Sequence, residues 1–149
     1  MENYEVGRNE ITAGTVSPSY MLPLHGLQRL EKIMDEYVGG IGSNYTTNEP
    51  LLTRGIELLD MLKEDLDHLG ADSLHQLQRA WELQHRVLAS ECVTQHTMYR
   101  TETRWPGYYY RADHPKLDDT DWHCFTLSQY DRESGKWAME KAPVYHIVD

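Results

Sequence analysis

Three periodic segments, each closed by its own stop signal, constrain this chain more than any other feature of its sequence. In the first, from Pro23 to Val38, Leu27, Leu30, Ile33, Met34, Tyr37 and Val38 recur at three- and four-residue spacing and share one helical face. Pro23 suits the first turn, where its missing N–H costs nothing. Gly39 and Gly40 end the segment, because glycine tolerates the left-handed conformation of a helix exit. The second segment opens at Asn48, a capping residue, with Pro50 in its first turn, and runs to about Leu69. Its stripe is Leu52, Leu59, Leu62, Leu66 and Leu69, and Gly70 closes it. Ser73 and Gln76 form an S-x-x-Q capping box for the third. The apolar face of that helix includes Leu74, Leu77, Trp81, Val87 and Leu88. With no breaker before Pro106, it is predicted to cover roughly thirty residues, or about 45 Å. Its second half, Glu91 to Thr103, is much more polar than its first. Such a helix overshoots a small three-helix core, so its end is expected to pack on something else.

The flanks differ. In residues 1–21, Asn9, Thr12, Gly14, Thr15, Ser17 and Pro18 interrupt any period. Yet Tyr4, Val6, Ile11 and Val16 make this an unusually apolar arm, expected to lie across a neighbouring domain. After Pro106, Gly107, Pro115 and the Asp118–Asp119–Thr120–Asp121 cluster mark a meandering loop. Phe125, Leu127 and Tyr130 alternate with polar residues as in a strand, Gly135 marks a turn, and Trp137, Met139, Val144, Tyr145, Ile147 and Val148 look extended. A mainly α domain follows: an extended arm or linker over 1–21, three helices over 22–104, and a loop with a small terminal β-hairpin over 105–149.

The apolar fraction, 40%, and the charged fraction, 26%, suit one globular domain of 149 residues. No apolar run is long enough to span a membrane, and the N-terminus lacks the apolar stretch of a signal peptide. Net charge is −10, which disfavours nucleic acid and anionic membrane surfaces. Acidic residues outnumber basic ones sixteen to nine over 1–110 and eight to five over 111–149, so the charge is spread rather than gathered in a tail. Two cysteines, Cys92 and Cys124, make no disulfide framework and suit a reducing cytoplasm.

Three constellations invite chemistry. Cys92 and His96 stand at i, i+4 on one helix face, with His85 earlier and His123 and Cys124 as further potential ligands. The spacing matches no zinc pattern, and a buried thiol beside partly exposed histidines is the plainer reading. Asp118 with Asp119 resembles an acid–base pair, but acidic pairs in loops usually cap or face water. Trp105, Tyr108, Tyr109 and Tyr110, flanked by Arg104 and Arg111, resemble a base-stacking platform. In an acidic chain, packing at an interface between domains or subunits suits them better. No G-x-G-x-x-G follows a strand, and neither a Walker loop nor a G-x-S-x-G elbow is present. Gly39–Gly40–Ile41–Gly42 follows a helix, the wrong context for a nucleotide.

The stretch Arg100 to Cys124 is the most distinctive. Arg100, Glu102, Arg104, Gly107, Arg111, Asp113, Pro115, Asp118, Asp119 and Trp122 resemble the Arg-x-Glu-x-Arg, Gly, Arg-x-Asp-x-Pro, acidic and Trp pattern of the succinate dehydrogenase and fumarate reductase flavoprotein superfamily. The insertion Trp-Pro-Gly-Tyr-Tyr-Tyr between Arg104 and Arg111 departs from the short Gly-x-His segment of succinate dehydrogenases. It looks like the dissimilatory adenylylsulfate reductase α-subunit family. So do Lys32-Ile-Met-Asp-Glu-Tyr37, Leu74-His-Gln-Leu77, Arg79-Ala-Trp-Glu82 and the Tyr-Asp-x-x-x-Gly-x-Trp turn from Tyr130 to Trp137. The likeness runs from about Ser17 onward.

The resemblance implies a C-terminal domain with a spectrin-repeat-like three-helix bundle. It also implies a cytoplasmic oxidoreductase that interconverts adenylylsulfate with AMP and sulfite. In that family an FAD-binding domain and a capping domain precede this one and carry the catalytic residues, and a β subunit carries iron–sulfur clusters. No catalytic, cofactor-binding or metal residue is therefore carried over to this chain. The implied role is to brace the flavin domain. Arg104, Trp105, Tyr108, Tyr109, Tyr110, Arg111 and Trp122 are the expected interface residues, with the two arginines in interdomain ion pairs. The rival expectation is a free-standing helical adaptor or metal-binding module.

Overall fold

The computed structural model describes residues 4–6, 11–13, 20–105 and 107–145. Among them are four helices, α1 (Pro23–Tyr37), α2 (Glu49–Asp65), α3 (Leu74–Tyr99) and the short α4 (Asp119–Trp122). Helices α1, α2 and α3 each pack on the other two. Arg29 of α1 bonds Asp65 of α2 at 2.5 Å, while Gly55 of α2 lies against Tyr37 and Val38, so these helices run antiparallel. Gly26 lies against Leu83 and Met34 meets Thr94, so α1 and α3 run the same way. Between them sit Leu30, Ile33, Leu59, Leu62, Leu66, Leu77, Ala80, Leu83 and Val87, all buried. Each large aliphatic side chain buried this way stabilises the fold by about 1.5–3 kcal/mol.

The boundary signals act through their chemistry. Asn48 accepts the Leu51 amide at 3.0 Å, with Pro50 in the first turn of α2. Ser73 accepts the Gln76 amide at 3.3 Å, and the Gln76 side chain reaches back to the Asp72 amide at 3.3 Å, one residue before the box position. Gly39 has φ +92°, and a Cβ there would lie 2.6 Å from the Tyr109 ring. Helix α1 thus ends at a position where both backbone and neighbour require glycine.

Two helix limits differ from expectation. Helix α2 stops at Asp65, followed by a 3₁₀ turn (Leu66–His68) and a strand, Leu69–Ala71. Leu69 and Ala71 are fully buried as strand residues, and Gly70 donates to the Met21 carbonyl at 3.0 Å. Helix α3 has 26 residues and stops at Tyr99, because Arg100 is extended (φ −83°, ψ 105°). Its buried stripe is Leu77, Ala80, Leu83, Val87, Glu91 and Thr94. Leu74, Trp81 and Leu88, expected on that face, are exposed. The two stripes lie about 100° apart on one helix, and the stripe that fits the groove between α1 and α2 is the one buried.

The structure adds strand pairing that the periodicity did not reveal. Strands β1 (Tyr4–Val6) and β2 (Ile11–Ala13) form an antiparallel pair, and β1 also pairs with β4 (Leu69–Ala71). The described parts of the expected arm therefore join this domain's own sheet; Val16 lies outside the described residues. Strands β3 (Thr46–Thr47) and β5 (Tyr110–Arg111) pair in parallel. The terminal hairpin joins β6 (Cys124–Asp131) to β7 (Lys136–Pro143), with Gly135 in the turn at φ +67°. Ile147 and Val148 lie outside the described residues. The inner face of β6 is polar. Its Thr126 and Ser128 meet His96, and Ser128 also meets Cys92. Phe125 and Leu127 point outward, 59% and 46% exposed. The polar second half of α3 thus packs on this chain's own hairpin.

Candidate interface segment

The segment after α3 is built on one buried carboxylate. Glu102 is 3% exposed and accepts from Arg100 at 2.5 Å, Arg104 at 2.7 and 3.1 Å, and the Asp118 amide at 2.9 Å. Burial opposes its charge, but the Arg104 fork, the Asp118 amide and Arg100 outweigh it and hold the carboxyl below its ordinary range. Arg104 also reaches Asp119 at 3.0 Å and the Trp122 carbonyl at 3.2 Å. Asp118 accepts the Thr120 and Asp121 amides and so caps α4. The Asp118–Asp119 pair is thus divided between a helix cap and an ion pair.

Arg111 is 1% exposed, and its guanidinium closes two helices. It donates to the Thr97 carbonyl in a short contact, and to those of Met98 and Arg100 at 3.3 and 3.1 Å. These acceptors lie at the end of α3, where carbonyls lack intrahelical partners and a cation is favoured. Its other edge forms a two-point pair with Asp113 at 2.9 and 2.8 Å. Asp113 in turn accepts the Glu49 amide at 2.9 Å, at the start of α2. The Arg111 fork, with burial opposing and the Glu49 amide assisting, holds the Asp113 carboxyl down at about 2.

The expected interface residues therefore separate into two sets. Arg104 and Arg111 make their ion pairs within this chain. Trp122 is 6% exposed. It stacks edge-on against Tyr99 at 5.5 Å, donates to Thr101 at 3.0 Å and lies under the Lys141 ammonium at 3.6 Å. Tyr109 is half-buried, with its hydroxyl on the Val38 carbonyl at 3.2 Å, and burial raises its hydroxyl's pKa above the ordinary value. Trp105 and Tyr108 face solvent, at 70% and 79% exposure, with Tyr110 at 39%. The turn that presents them is braced: the Tyr108 and Tyr109 amides both donate to the Trp105 carbonyl at 3.1 Å, and the Gly107 amide donates to the Tyr110 hydroxyl at 2.6 Å. Gly107 has φ +94°, which a side chain would strain.

Sequence reasoning placed Glu102 and Asp113 in a motif but gave them no role. A carboxylate two residues from an arginine on either side, as in Arg100-x-Glu102-x-Arg104, was the available signal for the first.

The metal candidates are not gathered. Both ring nitrogens of His96 lie 3.0 Å from hairpin hydroxyls, and Cys92 lies 3.7 Å from Ser128. Among the described residues no three His, Cys, Asp or Glu are placed to hold a metal. The glycine-rich stretch does not fit a flavin dinucleotide either. The Gly40 and Gly42 amides donate to the Asp35 carbonyl and carboxylate at 3.2 and 2.8 Å, so both are already partnered within the chain, and the stretch follows the C-terminal end of α1 rather than opening a helix. Among the described residues no helix is long and apolar enough to cross a membrane.

Residues 27–147 match the family model described as fumarate reductase flavoprotein C-term. The chain is 43% identical over 146 residues to the adenylylsulfate reductase subunit alpha of Megalodesulfovibrio gigas, covering 98% of this chain and 22% of that one. It is 31% identical over 115 residues to a fumarate reductase flavoprotein subunit of Helicobacter pylori, covering 69% of this chain and 14% of the other. The adenylylsulfate reductase of Archaeoglobus fulgidus superposes with a TM-score of 0.86 at 54% identity, over 90% of this chain and 21% of that one. The quinol fumarate reductase of E. coli, with a TM-score of 0.75 at 21% identity over 90% of this chain and 23% of that one, shares the fold. The chain thus spans about a fifth of the length of these adenylylsulfate reductase relatives. By sequence and by fold, it belongs to the fumarate reductase flavoprotein C-terminal family and is similar within it to adenylylsulfate reductase α subunits.

Proposed function

We propose that this chain serves as the C-terminal helical domain of an FAD-dependent adenylylsulfate reductase α subunit and performs no chemistry alone. In this reading residues 22–104 are a spectrin-repeat-like three-helix bundle that braces the flavin and capping domains. Residues 105–149 are its extension, and 1–21 its link to what precedes it. FAD belongs to the preceding part, which turns adenylylsulfate into AMP and sulfite in the cytoplasm, alongside an iron–sulfur β subunit. Nucleic acid and membrane insertion play no part.

The braced aromatic turn carries the reading. Trp105 and Tyr108 face water on a turn held by the Tyr108 and Tyr109 amides on the Trp105 carbonyl and by the Gly107 amide on the Tyr110 hydroxyl. Preorganised aromatic rings are the usual anchors of protein interfaces, at about 2 kcal/mol or more each. The likeness to an α subunit about five times longer supplies the setting. The test is the assembled αβ enzyme carrying Trp105→Ala with Tyr108→Ala. Interdomain or intersubunit association is expected to weaken by roughly thirtyfold per ring lost, while the domain's Tm stays unchanged. Unaltered assembly on size exclusion, together with unaltered resistance to proteolysis between domains, would remove these residues from the interface.

A further inference from the structure

Beside the aromatic turn lies an open groove of about 830 Å³ between α1 and the second half of α3. Its walls are Met34, Val38, Val93 and Tyr109, and Ile41 forms a lip. Val93 and Ile41 are 52% and 75% exposed, so two aliphatic side chains stand in water around a hollow with an apolar lining. Tyr109 joins the groove to the proposed interface, since its ring forms one wall while its neighbours Tyr108 and Tyr110 belong to the turn.

The rim supplies the second observation. Glu31, Lys32 and Asp35 line the groove. The Lys32 ammonium is drawn 3.7 Å from Glu36 on its own helix. Glu31 and Asp35 make no ion pair among the described residues, although Asp35 accepts the Gly42 amide at 2.8 Å. The hollow is therefore apolar at its base and negative at its edge, in a chain of net charge −10.

We infer that this groove seats a cationic amphipathic segment of the partner protein. Its apolar side chains would enter between Met34, Val38, Val93 and Tyr109, and its lysines or arginines would meet Glu31 and Asp35. An anionic or purely polar segment would leave the two carboxylates without a counter-charge and the hollow wet. The inference rests on the reading that this end of the molecule faces a partner, and it names that partner's chemistry.

The probe is a fluorescent amphipathic leucine–lysine peptide, compared with a leucine–glutamate peptide of equal length and spacing, titrated into the 149-residue chain by anisotropy. Saturable binding of the lysine peptide alone is expected. Val93→Glu should weaken it by roughly tenfold or more, and Glu31→Gln by several-fold. Val93 is half exposed, so the variant should keep its circular dichroism spectrum. The choice separates groove from bulk charge. Val93→Glu makes the chain more negative, so merely electrostatic binding would tighten, whereas binding in the groove weakens. Absent binding, equal binding of both peptides, or undiminished binding to Val93→Glu would each overturn the inference. Trp105→Ala with Tyr108→Ala should leave peptide binding unchanged, so failure in the groove is distinguishable from failure of the aromatic anchors.

Discussion

Glu102 and Arg111 show how a small domain uses buried charge. Each is almost fully removed from water and each is met by several opposite or polar partners. Removing one partner from such a set leaves uncompensated charge in the interior. Glu102→Gln is therefore expected to cost about 3 kcal/mol in urea unfolding, and a loss below 1 kcal/mol would mean that the arginines re-pair with Asp119 and water. Asp113 adds a dependence on pH. Its folded value of about 2 lies below the ordinary 3.8, so its stabilising effect is present above about pH 4 and disappears as pH falls towards 2. Asp113→Asn should flatten that acid limb when urea midpoints are compared across it. The limb should not vanish, because Glu102 is shifted in the same direction.

At the scale of elements, the stop signals were legible because a cap or a left-handed glycine acts within a few residues. Asn48, Ser73 and Gly39 act where the sequence placed them. Gly39→Ala should cost about 2 kcal/mol by combining strained backbone with a clash against Tyr109. A differential scan showing no change in Tm would mean that the turn shifts to accept it. The end of α3 was not legible. Its last carbonyls are capped by Arg111, eleven to fourteen residues away in the chain, and no local pattern announces that. Although β7 keeps the usual alternation, with Trp137 and Met139 half-buried, β6 inverts it for a related reason. The second half of α3 offers it Cys92 and His96 rather than an apolar face, so hydroxyls turn inward and Phe125 and Leu127 turn out.

The whole molecule presents Trp105, Tyr108, Phe125, Leu127, Trp81 and Leu74 to solvent. Several large apolar side chains exposed on one small domain favour self-association when nothing covers them. Phe125→Ser with Leu127→Ser is expected to leave the unfolding free energy within about 0.5 kcal/mol, as for surface sites, while sedimentation velocity shows less self-association. A loss of 2 kcal/mol or more would instead place the outer face of the hairpin in the fold's own core. The sequence by itself determined the helical class, the three long helices with their caps, the terminal hairpin and the family motif, because these are written in short-range spacing and local backbone preference. Only the tertiary structure decided which of two stripes on α3 is buried, that Arg104 and Arg111 pair inward while Trp105 and Tyr108 face out, and that the N-terminal strands join β4. Those outcomes depend on which surfaces meet across distant parts of the chain, where packing and the pairing of buried charge outweigh any local propensity.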